Sequence, residues 1–113
     1  MTVTMTFNSK CGTARNVLEI IRARGIEPVI IEYLKTPLTR DELDGLVKRL
    51  NVPVRDIVRA KEPLYAELNL DKADDGALLD AMAAHPILMN RPIVITPRGA
   101  RLCRPSETVA ALL

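Results

Sequence analysis

The sequence predicts an α/β fold in the order β-α-β, helical insert, β-β-α, built on a mixed sheet. Three observations carry that prediction. An alternating segment, a helical repeat and a β-branched run follow one another within residues 2–31. Residues 37–86 then have helical periodicity, with prolines at the joints. Last, two strand-like segments flank a Pro-Arg-Gly turn near the C-terminus.

Residues 2–7, Thr2-Val3-Thr4-Met5-Thr6-Phe7, carry apolar side chains at the odd positions. A period of two is that of a strand with one face buried more than the other. The polar loop Asn8-Ser9-Lys10-Cys11-Gly12-Thr13 leads into a helix whose inner stripe is Val17, Ile20, Ile21 and the stem of Arg24. Gly25 falls where a left-handed C-terminal cap belongs. Val29-Ile30-Ile31 is the second strand. Strand, helix and strand over about thirty residues is the length of a right-handed crossover between parallel strands.

In the insert, Thr39-Arg40-Asp41-Glu42 has the form of a capping box, and Leu43, Leu46, Val47 and Leu50 follow at amphipathic helical spacing. Val54–Arg59 is expected as a shorter helix and Asp74–Ala84 as another, with Leu78, Ala81 and Met82 inward. Pro37, Pro53, Pro63 and Pro86 stand at the joints. Beyond the insert, Pro92–Thr96 and Ala100–Cys103 pair antiparallel across Pro97-Arg98-Gly99. Pro105 opens a closing helix with Val109, Leu112 and Leu113 inside. Without internal repeat or linker, residues 1–113 are expected to form one domain.

Composition narrows the function. A chain of 113 residues and 12.5 kDa can bury a core without metal or disulfide. Apolar residues make up 48% and charged ones 27%, a globular balance, and with Phe7, Tyr33 and Tyr65 as the aromatics the core must be aliphatic. Sixteen basic against fourteen acidic residues leave +2, too little to imply nucleic acid or a membrane. The longest apolar run, Val109–Leu113, spans no bilayer, and the first residues lack a signal-peptide pattern. Two cysteines make no disulfide framework, and one histidine with two distant cysteines offers no zinc spacing. The expectation is a soluble, cytoplasmic monomer with no metal.

Cys11 is the leading chemical candidate, since it stands between a strand end and a helix start. The first amides of a helix favour an anion, and a thiol there loses its proton more readily. Gly12 lets backbone approach a ligand, and Arg15 lies one turn on. The alternative is an inert buried thiol. Arg59, Arg91 and Arg104 stand at element ends, the latter two before prolines. A guanidinium binds a tetrahedral oxyanion through paired donors, so arginines around a thiolate point to an oxyanion; solvated surface arginines are the alternative. His85 is expected to be structural or exposed rather than a partner of the thiol. Cys103, beside Leu102 on a strand, is expected to be packed rather than to resolve an oxidised Cys11. Ala14 stands three residues after Cys11, so no Cys-x-x-Cys pair exists and an external thiol must complete any redox cycle.

Three stretches, Cys11-Gly12-Thr13-Ala14-Arg15-Asn16, His85 through Val94, and Arg101 through Glu107, resemble the glutaredoxin-dependent arsenate reductase (ArsC) family. Tyr33-Leu34-Lys35-Thr36-Pro37 and Arg40-Asp41-Glu42-Leu43 fit it as well. The resemblance implies a thioredoxin-like fold with a helical insertion, and a cis bond between Arg91 and Pro92. It implies Cys11 as the nucleophile toward arsenate, Arg59, Arg91 and Arg104 as oxyanion ligands, and Asn8, Gly12, Thr13 and Arg15 as the supporting loop. No bound cofactor is implied; glutathione is the co-substrate and glutaredoxin the partner that clears the mixed disulfide. Phe7 occupies the place of the family's loop histidine and Ser9 that of its usual proline, so thiolate stabilisation should fall on the helix start and the arginines. The resemblance also leaves room for a glutathione-dependent thiol reductase of another substrate. A third reading is a non-enzymatic Spx-like regulator of RNA polymerase, a class that commonly carries the absent Cys-x-x-Cys.

Overall fold

The computed structural model describes residues 2–113. They group into two compact units: the residues up to Thr36 with Arg91–Leu113, and Pro37–Asn90.

The first unit holds β1 (Thr4–Thr6), α1 (Gly12–Ala23), β2 (Val29–Ile31), and two later strands, β3 (Ile93–Thr96) and β4 (Gly99–Leu102). The sheet order is β2-β1-β3-β4. The α1 crossover returns the chain so that β2 runs parallel to β1, with Met5 opposite Ile30. β3 is antiparallel to both β1 and β4, and the expected mixed sheet results. Gly25 ends α1 at φ 76, with the Gly25 and Ile26 amides donating to the carbonyls of Arg22 and Ile21. That is the double bond pattern a left-handed cap supplies. Val3, Met5 and Val94 from the sheet pack with Val17 and Ile21 of α1 and with Val109 and Leu112 near the C-terminus. Each such burial contributes about 1.5–3 kcal/mol before the entropy of ordering is counted.

Three details of this unit depart from the periodicity. The ladder covers only Thr4–Thr6 of the expected strand at 2–7, and Thr6 is buried although alternation puts it on the wet face. β1 is a central strand, so its polar positions are covered and must find partners inside. The closing helix is a 3₁₀ segment, Ser106–Leu112, preceded by Pro105. Residues three apart eclipse in that geometry, and Val109 and Leu112 are the two it buries. The Arg91–Pro92 bond is cis as expected, and so is Arg104–Pro105.

The second unit holds α2 (Arg40–Leu50), α3 (Pro63–Glu67) and α4 (Asp75–Ala84), linked by 3₁₀ turns at Val54–Ile57, Leu70–Lys72 and Pro86–Leu88. The capping box forms: Thr39 Oγ1 accepts the Glu42 amide at 3.1 Å and Glu42 Oε1 accepts the Thr39 amide at 3.0 Å. Leu43, Leu46, Val47 and Leu50 of α2 are buried, as are Leu78, Leu79 and Met82 of α4. Leu79 is buried where Ala81 was expected inward, and α4 packs against α2 and against the turns at Val54–Ile57 and Pro86–Leu88.

Periodicity missed α3, five residues pinned by Arg55, whose guanidinium donates to Tyr65 Oη at 2.8 Å and to the Leu70 and Ala73 carbonyls. The helix expected at 54–59 is instead a 3₁₀ turn that gives way to an extended Val58. Val58 bridges Met89, the Arg59 amide donates to the Leu88 carbonyl at 2.7 Å, and the Asn90 amide donates to the Ile57 carbonyl at 2.7 Å. This bridge carries the insert on to Asn90, beyond the expected limit at residue 86.

Candidate active site

β1 leads directly into a tight loop. The Asn8 carbonyl accepts the Cys11 amide at 2.9 Å, while Asn8 Oδ1 accepts the Lys10 amide at 3.0 Å. A side chain that copies a backbone turn in this way favours asparagine. The turn delivers Cys11 as the residue that caps α1, in extended conformation, with its carbonyl accepting the Arg15 amide. No side-chain oxygen caps the helix start, so the sulfur stands beside the Ala14 amide.

Arg15 does fold back, but onto the loop: its Nη1 donates to the Ser9 carbonyl at 2.7 Å and braces the turn from below. Thr13 is half-buried on the first turn of α1. Gly12 is exposed, and a methyl group there would meet only Arg15 Nη2, at 3.7 Å. The surrounding protein thus leaves room for alanine at Gly12. Any demand for glycine must come from what approaches the loop.

Two of the predicted arginines converge on the sulfur. Arg104 Nη1 lies 3.9 Å from Cys11 Sγ and also donates to the Arg91 carbonyl at 3.1 Å. The Arg91 guanidinium stands beside the same thiol, and its Nε is buried without a hydrogen-bond partner. Burial would push the Cys11 thiol up. The Ala14 amide, then Arg91, then Arg104 outweigh it and hold the thiol below its ordinary value. Phe7 adds no charge here; it packs against the core of the first unit.

Arg59 belongs to the second unit. It is half-buried, its Nε is 3.9 Å from the Glu62 carboxylate, and that Nε has no hydrogen-bond partner. Sequence reasoning placed Arg59 at a helix end, whereas it follows the short bridged segment. His85 ends α4 as an exposed residue. Cys103 is fully buried, 3.6 Å from the Arg101 carbonyl, and burial pushes its thiol up to about 11. It is the packed thiol the sequence suggested.

Tyr33 escaped sequence reasoning. It is 1% exposed; burial pushes its hydroxyl up, against the pull of the Arg91 guanidinium and the Asn8 side chain. The available signal was its place just after β2, at the same sheet end as the Cys11 loop.

Among the described residues, no group of three His, Cys, Asp or Glu is arranged to hold a metal, and no helix is long and apolar enough to cross a membrane. What the arrangement offers is a stabilised thiolate with guanidinium donors aimed at the same place. That combination suits nucleophilic attack on an oxyanion.

A model of the ArsC family matches residues 7–112. An arsenate reductase of Escherichia coli (strain K12) is 53% identical over 113 residues, covering 98% of this chain and 80% of that protein. One of Rhizobium meliloti is 50% identical, covering 100% and 82%. Among solved structures, an arsenate reductase from Vibrio cholerae superposes with a TM-score of 0.96 at 42% identity, covering 100% of this chain and 98% of the other.

Proposed function

The chain belongs to the ArsC family, and on that premise we propose that it reduces arsenate to arsenite with glutathione as co-substrate. Cys11 is the nucleophile. Its thiolate attacks arsenic, one arsenate oxygen leaves as water after protonation by solvent, and a sulfur–arsenic(V) adduct forms. Glutathione supplies the second sulfur, which bonds to the Cys11 sulfur as the sulfur–arsenic bond breaks. Two electrons pass to arsenic, and arsenic(III) leaves as arsenite. Glutaredoxin then takes the glutathione sulfur onto its own thiol and returns Cys11 to the thiolate.

Arg91 and Arg104 bind arsenate oxygens through charge-assisted hydrogen bonds, and Arg59 is assigned the same role on its match to the family's motif. Asn8, Gly12, Thr13 and Arg15 hold the loop. Cys103 is sealed in the core, which supports an external thiol as the second sulfur. The reading goes with a monomer acting as one domain in a glutathione-rich cytoplasm.

The observation that carries it is the 3.9 Å approach of Arg104 Nη1 to the Cys11 sulfur at the start of α1. With Phe7 in the histidine place, activation of the thiol rests on the Ala14 amide and two guanidinium groups. Oxidation of reduced nicotinamide, coupled through glutathione reductase and glutaredoxin, tests it. Cys11→Ser is expected to fall to the blank rate. Wild-type protein that gives no arsenate-dependent rate with both partners present would overturn the proposal.

A further inference from the structure

Alternation along β1 puts Thr6 on the polar face, yet it is only 1% exposed. Its Oγ1 accepts the Ile93 amide at 2.9 Å, a buried bond between residues 87 positions apart. The ladder between β1 and β3 pairs Thr4 with Ile95 and Met5 with Val94, and goes no further. At the next position the Thr6 hydroxyl takes the place of a ladder carbonyl and accepts the Ile93 amide.

Ile93 is two residues from Arg91, and the intervening segment is held at two other points. The Pro92 carbonyl accepts the Cys103 amide at 2.9 Å, and the Arg91 carbonyl accepts Arg104 Nη1 at 3.1 Å. Both of those partners come from the chain after β4. The Thr6 bond alone among these three comes from the strand that runs on to the nucleophile, which follows five residues later. The hydroxyl therefore carries the pairing of β1 with β3 one position further, toward Arg91 on one strand and Cys11 on the other.

We propose that Thr6 is a positioning residue: its hydroxyl oxygen fixes the Arg91 segment against β1 and so sets where the Arg91 guanidinium stands relative to the Cys11 sulfur. The inference builds on the reading of Arg91 as an anion ligand. Loss of the acceptor leaves a buried amide that must move to find another partner, and Arg91 moves with it. The groups that pull the thiol down are the Ala14 amide, Arg91 and Arg104. A displaced Arg91 therefore returns the thiol toward its ordinary value.

The test is the pH dependence of Cys11 alkylation by iodoacetamide, which needs no turnover. Failure of arsenate reduction in wild-type protein would thus sink the proposed function and leave this result standing. Thr6→Val keeps the shape and removes the acceptor. At a pH about one unit below the wild-type midpoint it should slow alkylation about three- to tenfold, as a rise of half to one unit in the thiol pKa does. Thr6→Ser keeps the hydroxyl and should stay within twofold of wild type. Thr96→Val is the matched control, because it removes another buried hydroxyl of the same unit, one that donates to the Leu112 carbonyl at 3.0 Å. It should lower the melting temperature without moving the alkylation profile. Where Thr6→Val does not fold, Thr6→Ala removes the same acceptor. In wild type the Ile93 amide should be among the slowest to exchange with deuterium. An unshifted profile in a folded Thr6→Val or Thr6→Ala protein, an equal shift in Thr96→Val, or an unprotected Ile93 amide would each overturn the proposal.

Discussion

The two units divide the charge unequally. The unit that carries Cys11 has nine basic and four acidic side chains, a net of +5, while Pro37–Asn90 has seven and ten, a net of −3. The modest total of +2 conceals this. The two sets of charges are also employed differently. In the helical unit four of the ten acids serve the unit itself: Glu42 completes the cap of α2, Asp74 caps α4, Asp44 pairs with Lys48 and Asp80 with Arg40. In the sheet unit the cations of the site exceed the local anions. Arg104 has a sulfur and a carbonyl for partners, and the Arg91 Nε has none. A cation without a carboxylate is a poor stabilising device and a good anion receptor, which is why these two regions should respond to substitution in opposite ways.

The sharpest test of that contrast is removal of the guanidinium groups. A charge-assisted hydrogen bond contributes about 1.5–3 kcal/mol, so Arg91→Ala and Arg104→Ala should each raise the KM for arsenate by roughly ten- to a hundredfold. The melting temperature should hardly change. Arg98→Ala, on the exposed turn between β3 and β4, should leave KM within twofold of wild type. Equal effects from all three in steady-state kinetics would erase the distinction between receptor and surface cations.

Cys103 sharpens the comparison from within the sheet unit, since it is a thiol that serves packing alone. Its folded pKa is raised from the ordinary 9.0 to about 11 by burial. A raised value means the neutral thiol is favoured in the fold. The associated stability is complete below pH 9 and is lost as pH rises through 11. Over that window the unfolding free energy should fall by about 2–3 kcal/mol, measured by urea titration, and Cys103→Ala should flatten the slope. For Cys11 the sign is opposite. Its lowered pKa gives stability that is present above the unfolded value and lost as pH falls through the folded one.

Much of the architecture was legible because it rests on local rules. The Thr39-x-x-Glu42 box, the Gly25 cap and the Pro97-Arg98-Gly99 turn each act within a few residues, and each stands where the sequence put it. Cys11 at a helix start followed from the same kind of reading, whereas Arg104 beside it, 93 positions away, was only one of two alternatives until the family resemblance favoured it. What was not legible depends on distant partners. Thr6 looks solvent-facing until Ile93, 87 residues away, offers it an amide. Tyr33 stands at the right end of the sheet by its place after β2, but its link to the site rests on Asn8 and Arg91, which are distant in sequence. Arg55 turns α3 and the following turn into ordered structure through three acceptors 10 to 18 residues on, a pattern no hydrophobic period encodes.

The smallest expected effect probes the helical unit with its best-defined local device. Thr39→Ala removes both the acceptor for the Glu42 amide and the geometry that brings Glu42 back to the Thr39 amide. Such a cap stabilises by about 1 kcal/mol, which in a domain of this size corresponds to a fall of roughly 3–6 °C in melting temperature. The cap lies in the unit that does not hold Cys11, so the substitution should leave the alkylation profile of Cys11 unchanged. The thiol's environment is built from the Ala14 amide, Arg91 and Arg104, all of them in the sheet unit. A shift of the Cys11 midpoint in Thr39→Ala would show that the two units share their energetics, and that the charge contrast between them does not mark a division of labour.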